Sequence, residues 1–230
     1  MSRYAVWRYG RAPGRKRMRP WLPPLFNGGP VRYVRRMKSS QVDILIVPGW
    51  QDSGPDHWQS RWERNLKTAR RVIQDDWNNP HVDVWGERIA KFARGTTQPA
   101  IVVAHSLGVP AVVFNADKLK SAGVIGAFLV APADVDHAHF WPDTGGERWP
   151  PKNGHGGFSG MPENRLPFPA QLIVGNNDLY CAQSRAEVLA KKWGAKFTDA
   201  GEVGHINVVS GHGPWPEGLL QFGQFLQRLG

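Results

Sequence analysis

From residue 42 onward, short apolar runs alternate with longer amphipathic stretches. The runs are rich in β-branched residues and almost free of charge, as in Ile101-Val102-Val103. Strands that helices cover on both faces of a parallel sheet have this composition. The alternation therefore predicts an α/β fold, a three-layer sandwich with helices on both faces of a mostly parallel sheet of about six strands. The predicted strands are residues 42–47, 71–73, 100–104, 126–130, 171–174 and 195–197.

The stretches between these runs carry apolar residues at helical spacing. Trp58, Trp62 and Leu66 recur every fourth residue. They predict one face of a helix, which we expect to start near Ser53 and Pro55. Such apolar stripes are typical of helices that face the core rather than of cofactor sites. Further stripes predict helices within residues 82–92, 186–193 and 219–229.

One predicted strand runs directly into a short motif built around a serine. The strand at 100–104 continues as His105-Ser106-Leu107-Gly108 and then as a helical pattern. A serine on a sharp strand-to-helix turn is the context of a nucleophile elbow, and the turn needs small residues on both sides. Ala104 stands at the first small position, where glycine is usual, and Gly108 at the second. The motif predicts Ser106 as a nucleophile, although a capping serine on an ordinary turn gives a similar pattern.

A serine nucleophile needs a base to take its proton and a third group to orient that base. In this type of fold the chain order is Ser, then Asp or Glu, then His, with each partner after a later strand. Asp178 follows the predicted strand at 171–174, and His205 follows the last predicted strand and precedes the C-terminal helix. We therefore predict a Ser106, Asp178 and His205 triad.

Backbone N–H groups must also hold the oxyanion that forms during acyl transfer. One donor follows the nucleophile, and the other comes from the loop after the first strand. These positions predict the N–H groups of Leu107 and Trp50, with Gln51 as the alternative if the register shifts by one residue. The predicted substrate pocket is lined by Gln51, His57, Trp141 and Trp149, with a capping or surface role as the alternative for His57.

Residues 132–169 interrupt the alternation with a segment rich in proline and glycine. A long connection inside a compact domain is usually a functional loop or a lid. Ser159 lies in this segment within a motif-like sequence, but no strand precedes it, so we do not predict a nucleophile there. His137 and His139 lie near two aspartates without a further set of ligands, and His105 is expected to have a structural role. We expect no metal and no cofactor.

These motifs resemble the α/β-hydrolase superfamily, and more narrowly the small capless serine hydrolases grouped with retinoblastoma-binding protein 9 and the YdeN-like proteins. The resemblance covers roughly residues 42–228 and implies a single domain over residues 41–230 without a large cap. It also implies that Ser106, Asp178 and His205 are the nucleophile, acid and base. Beyond the serine motif it rests on Pro48-Gly49-Trp50, Ser53-Gly54-Pro55-Asp56-His57-Trp58-Gln59, Val130-Ala131-Pro132-Ala133-Asp134, Leu166-Pro167-Phe168-Pro169 and Gly204-His205-Ile206-Asn207.

The expected activity is hydrolysis of an ester, thioester or amide in a small acyl substrate, through a covalent acyl-enzyme. An esterase is favoured over a peptidase. The alternative is a binding protein on a hydrolase scaffold whose triad is not used, because a fold does not by itself determine function. Labelling by a fluorophosphonate separates the two hypotheses.

The positive charge of the chain is confined to its first residues. Residues 1–40 contain 11 Lys and Arg and no acidic residue, so that 18 basic and 19 acidic residues remain in 41–230. This leader is predicted to lack a folded core, and translation starting at Met37, a targeting segment or a basic arm would each explain it. Nucleic acid is expected to bind only through residues 1–36, if at all. No apolar run is long enough to span a membrane, and we expect a cytoplasmic protein.

Overall fold

A computed structural model describes residues 37–143 and 146–229 of the chain. Six strands form one sheet in the order β2-β1-β3-β4-β5-β6. Every pairing between neighbouring strands is parallel. The predicted α/β class and the predicted number of strands are therefore confirmed. The strands are β1 (Asp43–Val47), β2 (Ala69–Arg71), β3 (Ala100–Ser106), β4 (Val124–Pro132), β5 (Ala170–Val174) and β6 (Lys196–Asp199).

Helices pack on both faces of this sheet. The bounds are α1 (Trp58–Asn65), α2 (Val82–Arg94), α3 (Gly108–Phe114), α4 (Ala116–Ser121), α5 (Gln183–Trp193) and α6 (Pro216–Gln227). One face of the sheet, which includes Ile44 and Val103, packs against α1 and α6. The opposite face, which includes Leu45 and Val102, packs against α2 to α5. Alternate residues of each strand enter opposite cores, because successive side chains of a strand point to opposite faces. This arrangement is the predicted three-layer sandwich.

Two predicted boundaries are wrong by a few residues. The strand predicted at 71–73 lies at Ala69–Arg71 and pairs through Ile44, Leu45 and Ile46 of β1. The first helix begins at Trp58 instead of near Ser53, because residues 48–57 form the loop that leaves β1. The Nδ1 atom of His57 accepts the backbone N–H of Gln59 and so caps this helix.

The long connection between β4 and β5 contains a 3₁₀ turn at Val135–Phe140 and packs on the domain without a sheet of its own in its described part. The Asp136 carboxylate accepts the backbone N–H groups of Gly160 and Met161. Arg185 of α5 makes ion pairs with both Asp136 and Glu163. These bonds attach the connection to the domain, and the described residues contain no large cap.

The three hypotheses about the leader concern residues 1–36, which lie outside the described residues. Within the described part of the chain, no helix has both the length and the apolar character that a bilayer span requires.

Candidate active site

Ser106 is the last residue of β3, and its backbone has a φ of 54°. The backbone of a residue other than glycine rarely adopts this left-handed region, so the turn holds Ser106 in a strained conformation. Two glycines make the turn possible. A Cβ atom on Gly108 would lie 2.4 Å from the Val47 carbonyl oxygen, and one on Gly49 would lie 2.7 Å from the Ser106 Cβ. Both residues must be glycine for β1 and the turn to approach this closely.

The three residues of the predicted triad lie together at the carboxyl edge of the sheet. The Nε2 atom of His205 is 2.9 Å from the Ser106 Oγ. On the other side of the ring, Nδ1 is 3.0 and 2.9 Å from the two carboxylate oxygens of Asp178. Asp178 and His205 are buried, and Ser106 is partly exposed. A carboxylate that accepts a hydrogen bond from Nδ1–H keeps the ring proton on Nδ1. The lone pair on Nε2 is then free to accept the proton of the serine hydroxyl.

The loop after β5 holds the carboxylate in place. In this loop, the backbone N–H of Tyr180 donates to Oδ1 of Asp178 over 2.9 Å. The ring of Tyr180 packs on the His205 imidazole at 4.2 Å between centroids, and burial together with the Asp178 charge raises the pKa of this tyrosine. The tyrosine is therefore a neutral support for the imidazole at ordinary pH.

Contacts on both sides along the chain fix the backbone around His205. The Asn177 Oδ1 accepts the backbone N–H of Gly204 over 2.7 Å. The Trp58 indole donates to the carbonyl oxygen of Ile206 over 2.9 Å. Ile206 has a φ of 47°, a conformation that these contacts maintain against its steric cost.

His105 supports the same segment from beneath. Its Nε2 lies 2.8 Å from the carbonyl oxygen of His205, so the ring donates to the backbone. This contact agrees with the expected structural role. Burial lowers the pKa of His105 well below its usual value, and the nearby His57 and His205 lower it further. His105 is thus a neutral hydrogen-bond donor.

His57 lies beside His105, with 4.8 Å between ring centroids. Burial lowers the pKa of His57 to about 3, with further contributions from His205 and Arg71. Because Nδ1 accepts the Gln59 N–H, the proton of the neutral ring is on Nε2. His57 was predicted either to line the pocket or to have a capping or surface role. In the structure it caps α1 and also lines the cavity described below.

The loop after β1 decides which backbone N–H groups are free beside Ser106. The Gln51 N–H donates to the Trp77 carbonyl oxygen over 3.1 Å, so this alternative oxyanion donor is already engaged. Within residues 37–143 and 146–229, the backbone N–H groups of Trp50 and Leu107 have no acceptor. A Cβ atom on Gly49 would lie 3.2 Å from the Leu107 nitrogen, which shows how near this loop is to the turn.

A cavity of about 500 Å³ opens over Ser106 and contains all four residues predicted for the pocket in its lining: Gln51, His57, Trp141 and Trp149. Three indoles follow one another along it, with 5.5 Å between the ring centroids of Trp50 and Trp149 and 5.6 Å between those of Trp149 and Trp141. Trp141 continues at 5.6 Å to Tyr180. We call Trp50, Trp149, Trp141 and Tyr180 the aromatic wall. It gives the cavity an apolar side of mutually inclined rings that ends at the His205 imidazole.

The polar side of the cavity includes residues for which the sequence offered no signal. Glu147 and Arg148 line it, and the Gln51 side-chain amide lies 3.5 Å from the Glu147 carboxylate. Tyr180 and Asn177 were also missed, although both flank Asp178 in the chain. Trp58 was interpreted only as a core residue, because its helical spacing gives no hint of the bond to Ile206.

Of the other candidates, His139 is in the lining of the cavity over Ser106, and His137 and Ser159 are not. The Nδ1–H of His137 donates to the Asp134 carboxylate over 2.8 Å, and Asp134 also faces Arg185. Within the described residues no group of three or more His, Cys, Asp or Glu is arranged to hold a metal ion. Ser159 is exposed and is not part of the cavity lining.

Comparison with known proteins gives a family match over most of the chain. The family model described as serine hydrolase matches residues 44–224. The crystal structure of a YdeN-like hydrolase from Pectobacterium atrosepticum is 30% identical, with a TM-score of 0.70 over 83% of this chain and 94% of that chain.

More distant structures share the fold. The ydeN gene product of B. subtilis is 16% identical, with a TM-score of 0.59 over 79% of this chain and 97% of that chain. An esterase domain from a Rhodothermus marinus protein is 15% identical, with a TM-score of 0.59 over 86% and 90% of the two chains. At these identities the similarity concerns the fold alone.

A curated protein that matches is the β-galactosidase of Thermoanaerobacterium thermosulfurigenes, which is 38% identical over 55 residues. The match spans 23% of this chain and only 7% of that enzyme. A match over so small a part of that enzyme says nothing about the activity of this chain.

Proposed function

The chain belongs to the serine hydrolase family, as its motifs predicted, and from this premise we propose that it hydrolyses acyl esters through a covalent intermediate on Ser106. The observation that carries the proposal is the position of His205, with Ser106 Oγ at 2.9 Å on one ring nitrogen and the Asp178 carboxylate at 2.9 Å on the other. Thioesters and amides react by the same steps and are the alternative substrates.

In the first half of the reaction, the Ser106 oxygen attacks the acyl carbon while its proton passes to His205 Nε2. Asp178 keeps the Nδ1 proton in place and stabilises the imidazolium that forms. The bond to the leaving group then breaks, and the leaving oxygen takes the proton from Nε2. The acyl group remains on Ser106 as an ester.

In the second half, a water molecule takes the place of the leaving group. His205 Nε2 accepts a proton from this water as its oxygen attacks the acyl carbon, and the bond to Ser106 Oγ breaks with return of the proton to the serine. In both halves the carbonyl oxygen becomes negatively charged. The free N–H groups of Leu107 and Trp50 are the proposed donors to this oxyanion.

The proposed substrate is a small acyl ester that fits a cavity of about 500 Å³, with its apolar part against the aromatic wall. Gln51, His57, Trp141 and Trp149 are the proposed contacts. We further propose a cytoplasmic location, which is consistent with a single cysteine that cannot form an internal disulfide.

A fluorophosphonate probe tests the proposal directly. We expect the folded protein to be labelled on Ser106 and p-nitrophenyl acyl esters to be hydrolysed. Replacement of Ser106 by alanine should abolish the labelling and lower kcat at least about 10⁴-fold, with an unchanged melting temperature. Absence of labelling in the folded wild-type protein would favour the binding protein instead, and full activity of Ser106→Ala would show that the nucleophile is another residue.

A further inference from the structure

Residues 48–57, the loop between β1 and α1, contain Trp50 and adopt a conformation that costs free energy. Gln51 and Asp52 have φ values of 65° and 66°, so two successive residues with side chains occupy the left-handed region. A loop with this conformation persists only where the surrounding structure overdetermines it. The groups that hold it are therefore part of what orients the Trp50 N–H.

Gln59 holds this loop from within the core. Its side chain is fully buried, and its Nε2 donates over 3.2 Å to two backbone carbonyls, those of Val47 and Val103. Val47 is the last residue of β1, the strand that leads to Trp50, and Val103 lies three residues before Ser106 in β3. One amide thus joins the two strands close to the edge of the sheet where Ser106 lies. Its Oε1 accepts the hydroxyl of Ser53 over 2.8 Å, which attaches the loop to the same point.

Arg71, at the end of β2, holds the loop from the other side. Its guanidinium donates to the Ser53 carbonyl oxygen over 3.0 Å and also to the Asp52 carboxylate. The same group donates over 2.6 Å to the Ser60 hydroxyl. Only 9% of its side chain is exposed, and its Nε donates to Glu63 over 2.9 Å, so the position of the fork is set by fixed partners. The planar fork of arginine suits several acceptors at once, which a lysine could not satisfy together.

We propose that Gln59 and Arg71 are positioning residues for the hydrolysis, which hold the 48–57 loop so that the Trp50 N–H points at the developing oxyanion. The proposal rests on the proposed function. Neither residue lines the cavity, so each acts through the loop and not through the substrate. A displaced oxyanion donor weakens binding of the transition state while binding of the substrate changes little.

Replacement of Gln59 by leucine tests the proposal, because it keeps the size of the side chain and removes both of its bonding groups. We expect kcat for p-nitrophenyl acetate to fall about 30- to 100-fold, with KM within about threefold of the wild-type value. Affinity for an alkyl trifluoromethyl ketone, which forms a charged tetrahedral adduct with a serine, should fall by the same factor as kcat/KM. Affinity for the product acetate should not change.

A matched control and a milder variant accompany this test. Gln171 is also buried and lies near the start of β5, at the opposite end of this strand from Asp178. Its Nε2 donates to the Thr198 hydroxyl and to Oε1 of Gln221 over 3.2 Å each. Gln171→Leu should lower the melting temperature as Gln59→Leu does, with kcat and the inhibitor affinity unchanged. Ser53→Ala removes only the hydroxyl and should lower kcat about threefold to tenfold, with the same link to inhibitor affinity.

The outcomes separate the two proposals. If wild-type protein is active and the folded Gln59→Leu and Ser53→Ala proteins keep wild-type kcat and inhibitor affinity, the positioning role is overturned. The same holds if Gln171→Leu loses as much kcat as Gln59→Leu. If Gln59→Leu does not fold, the Ser53→Ala result decides alone. A folded wild-type protein that neither labels nor hydrolyses any ester overturns the proposed function itself.

Discussion

The cavity over Ser106 has two sides that are built by different interactions. The 48–57 loop on one side is held by short buried hydrogen bonds, such as that between Ser53 and Gln59 at 2.8 Å. The described part of residues 133–169 on the other side presents the rings of Trp141 and Trp149 to the cavity. Its hydrogen bonds and ion pairs to the domain lie elsewhere, as between Pro162 and Trp193 and between Glu163 and Arg185. Directional bonds fix individual atoms, whereas ring contacts fix only a surface.

This difference corresponds to the demands of the proposed reaction. The position of an oxyanion donor must be correct to a fraction of an ångström, because the rate of the reaction depends on geometry at that scale. A surface that receives the apolar part of a substrate needs area and shape. We therefore expect substitutions that displace the backbone of the turn or of the 48–57 loop to act on kcat. Substitutions of the Trp141 and Trp149 rings should act on KM and on the choice of substrate.

Among substitutions that leave the three triad residues in place, the largest effect should follow from a Cβ atom where β1 meets the turn. Gly108→Ala would place this atom 2.4 Å from the Val47 and 2.5 Å from the Pro48 carbonyl oxygens, and neither backbone group can move freely. We expect kcat/KM to fall about 100-fold and the free energy of unfolding to fall by about 1–3 kcal/mol. Ester hydrolysis and urea unfolding measure the two. Gly223→Ala in α6, which meets no atom within 4 Å, is the control and should keep full activity.

A smaller and different effect should follow from Trp149→Ala in the aromatic wall. Trp149 contacts both Trp50 and Trp141, so its removal opens the apolar side of the cavity. For an ester with a large apolar acyl group we expect KM to rise about tenfold, and the loss of kcat/KM to be smaller for the acetyl ester. Kinetics with a series of p-nitrophenyl esters measure the difference. An equal loss for every chain length would contradict the assignment of this side to substrate selection.

The pH dependence of stability should distinguish the two sides further. The pKa of His57, in the 48–57 loop, is lowered to about 3, and that of His105 is also lowered, whereas both titrate near 6.5 in the unfolded chain. The unfolded chain therefore binds protons that the folded chain does not. The stabilisation by neutral imidazoles is complete above pH 6.5 and is lost as the pH falls toward 3, by at most about 1.4 kcal/mol per pH unit for each ring.

Urea unfolding between pH 7 and pH 4.5 measures this loss. The variant His57→Asn keeps an acceptor for the Gln59 N–H at the helix cap and removes one titrating ring. It should lose stability less steeply with falling pH than the wild-type protein. Equal slopes for the two proteins would mean that His57 is protonated in the folded state.

Prediction from sequence was accurate where the determining pattern is local. The six strands follow from β-branched runs, and the turn at Ser106 follows from a strand that meets small residues. The helix start near Ser53 was wrong, because the residues that precede Trp58 satisfy their polar groups through Gln59 and Arg71. Those partners lie on α1 and β2, and no local pattern points to them.

The site shows the same division between near and distant contacts. Ser106, Asp178 and His205 were predicted from their order after successive strands, and the structure brings them within hydrogen-bond distance; their catalytic roles stay predictions until tested. The sequence left two candidate oxyanion donors in the loop after β1, Trp50 and Gln51. The hydrogen bond from the Gln51 N–H to the Trp77 carbonyl oxygen engages one of them and leaves the Trp50 N–H as the candidate.

The amino-acid sequence by itself determined the layered fold, the strained turn and the order of the three site residues, since periodicity and turn chemistry depend on neighbouring residues. Only the tertiary structure decided which amide is free beside Ser106, which rings form the aromatic wall and which buried side chains hold the 48–57 loop. These depend on contacts between residues far apart in the chain, such as Trp58 with Ile206. Their energies depend on distances that become defined only when the sheet and helices have packed.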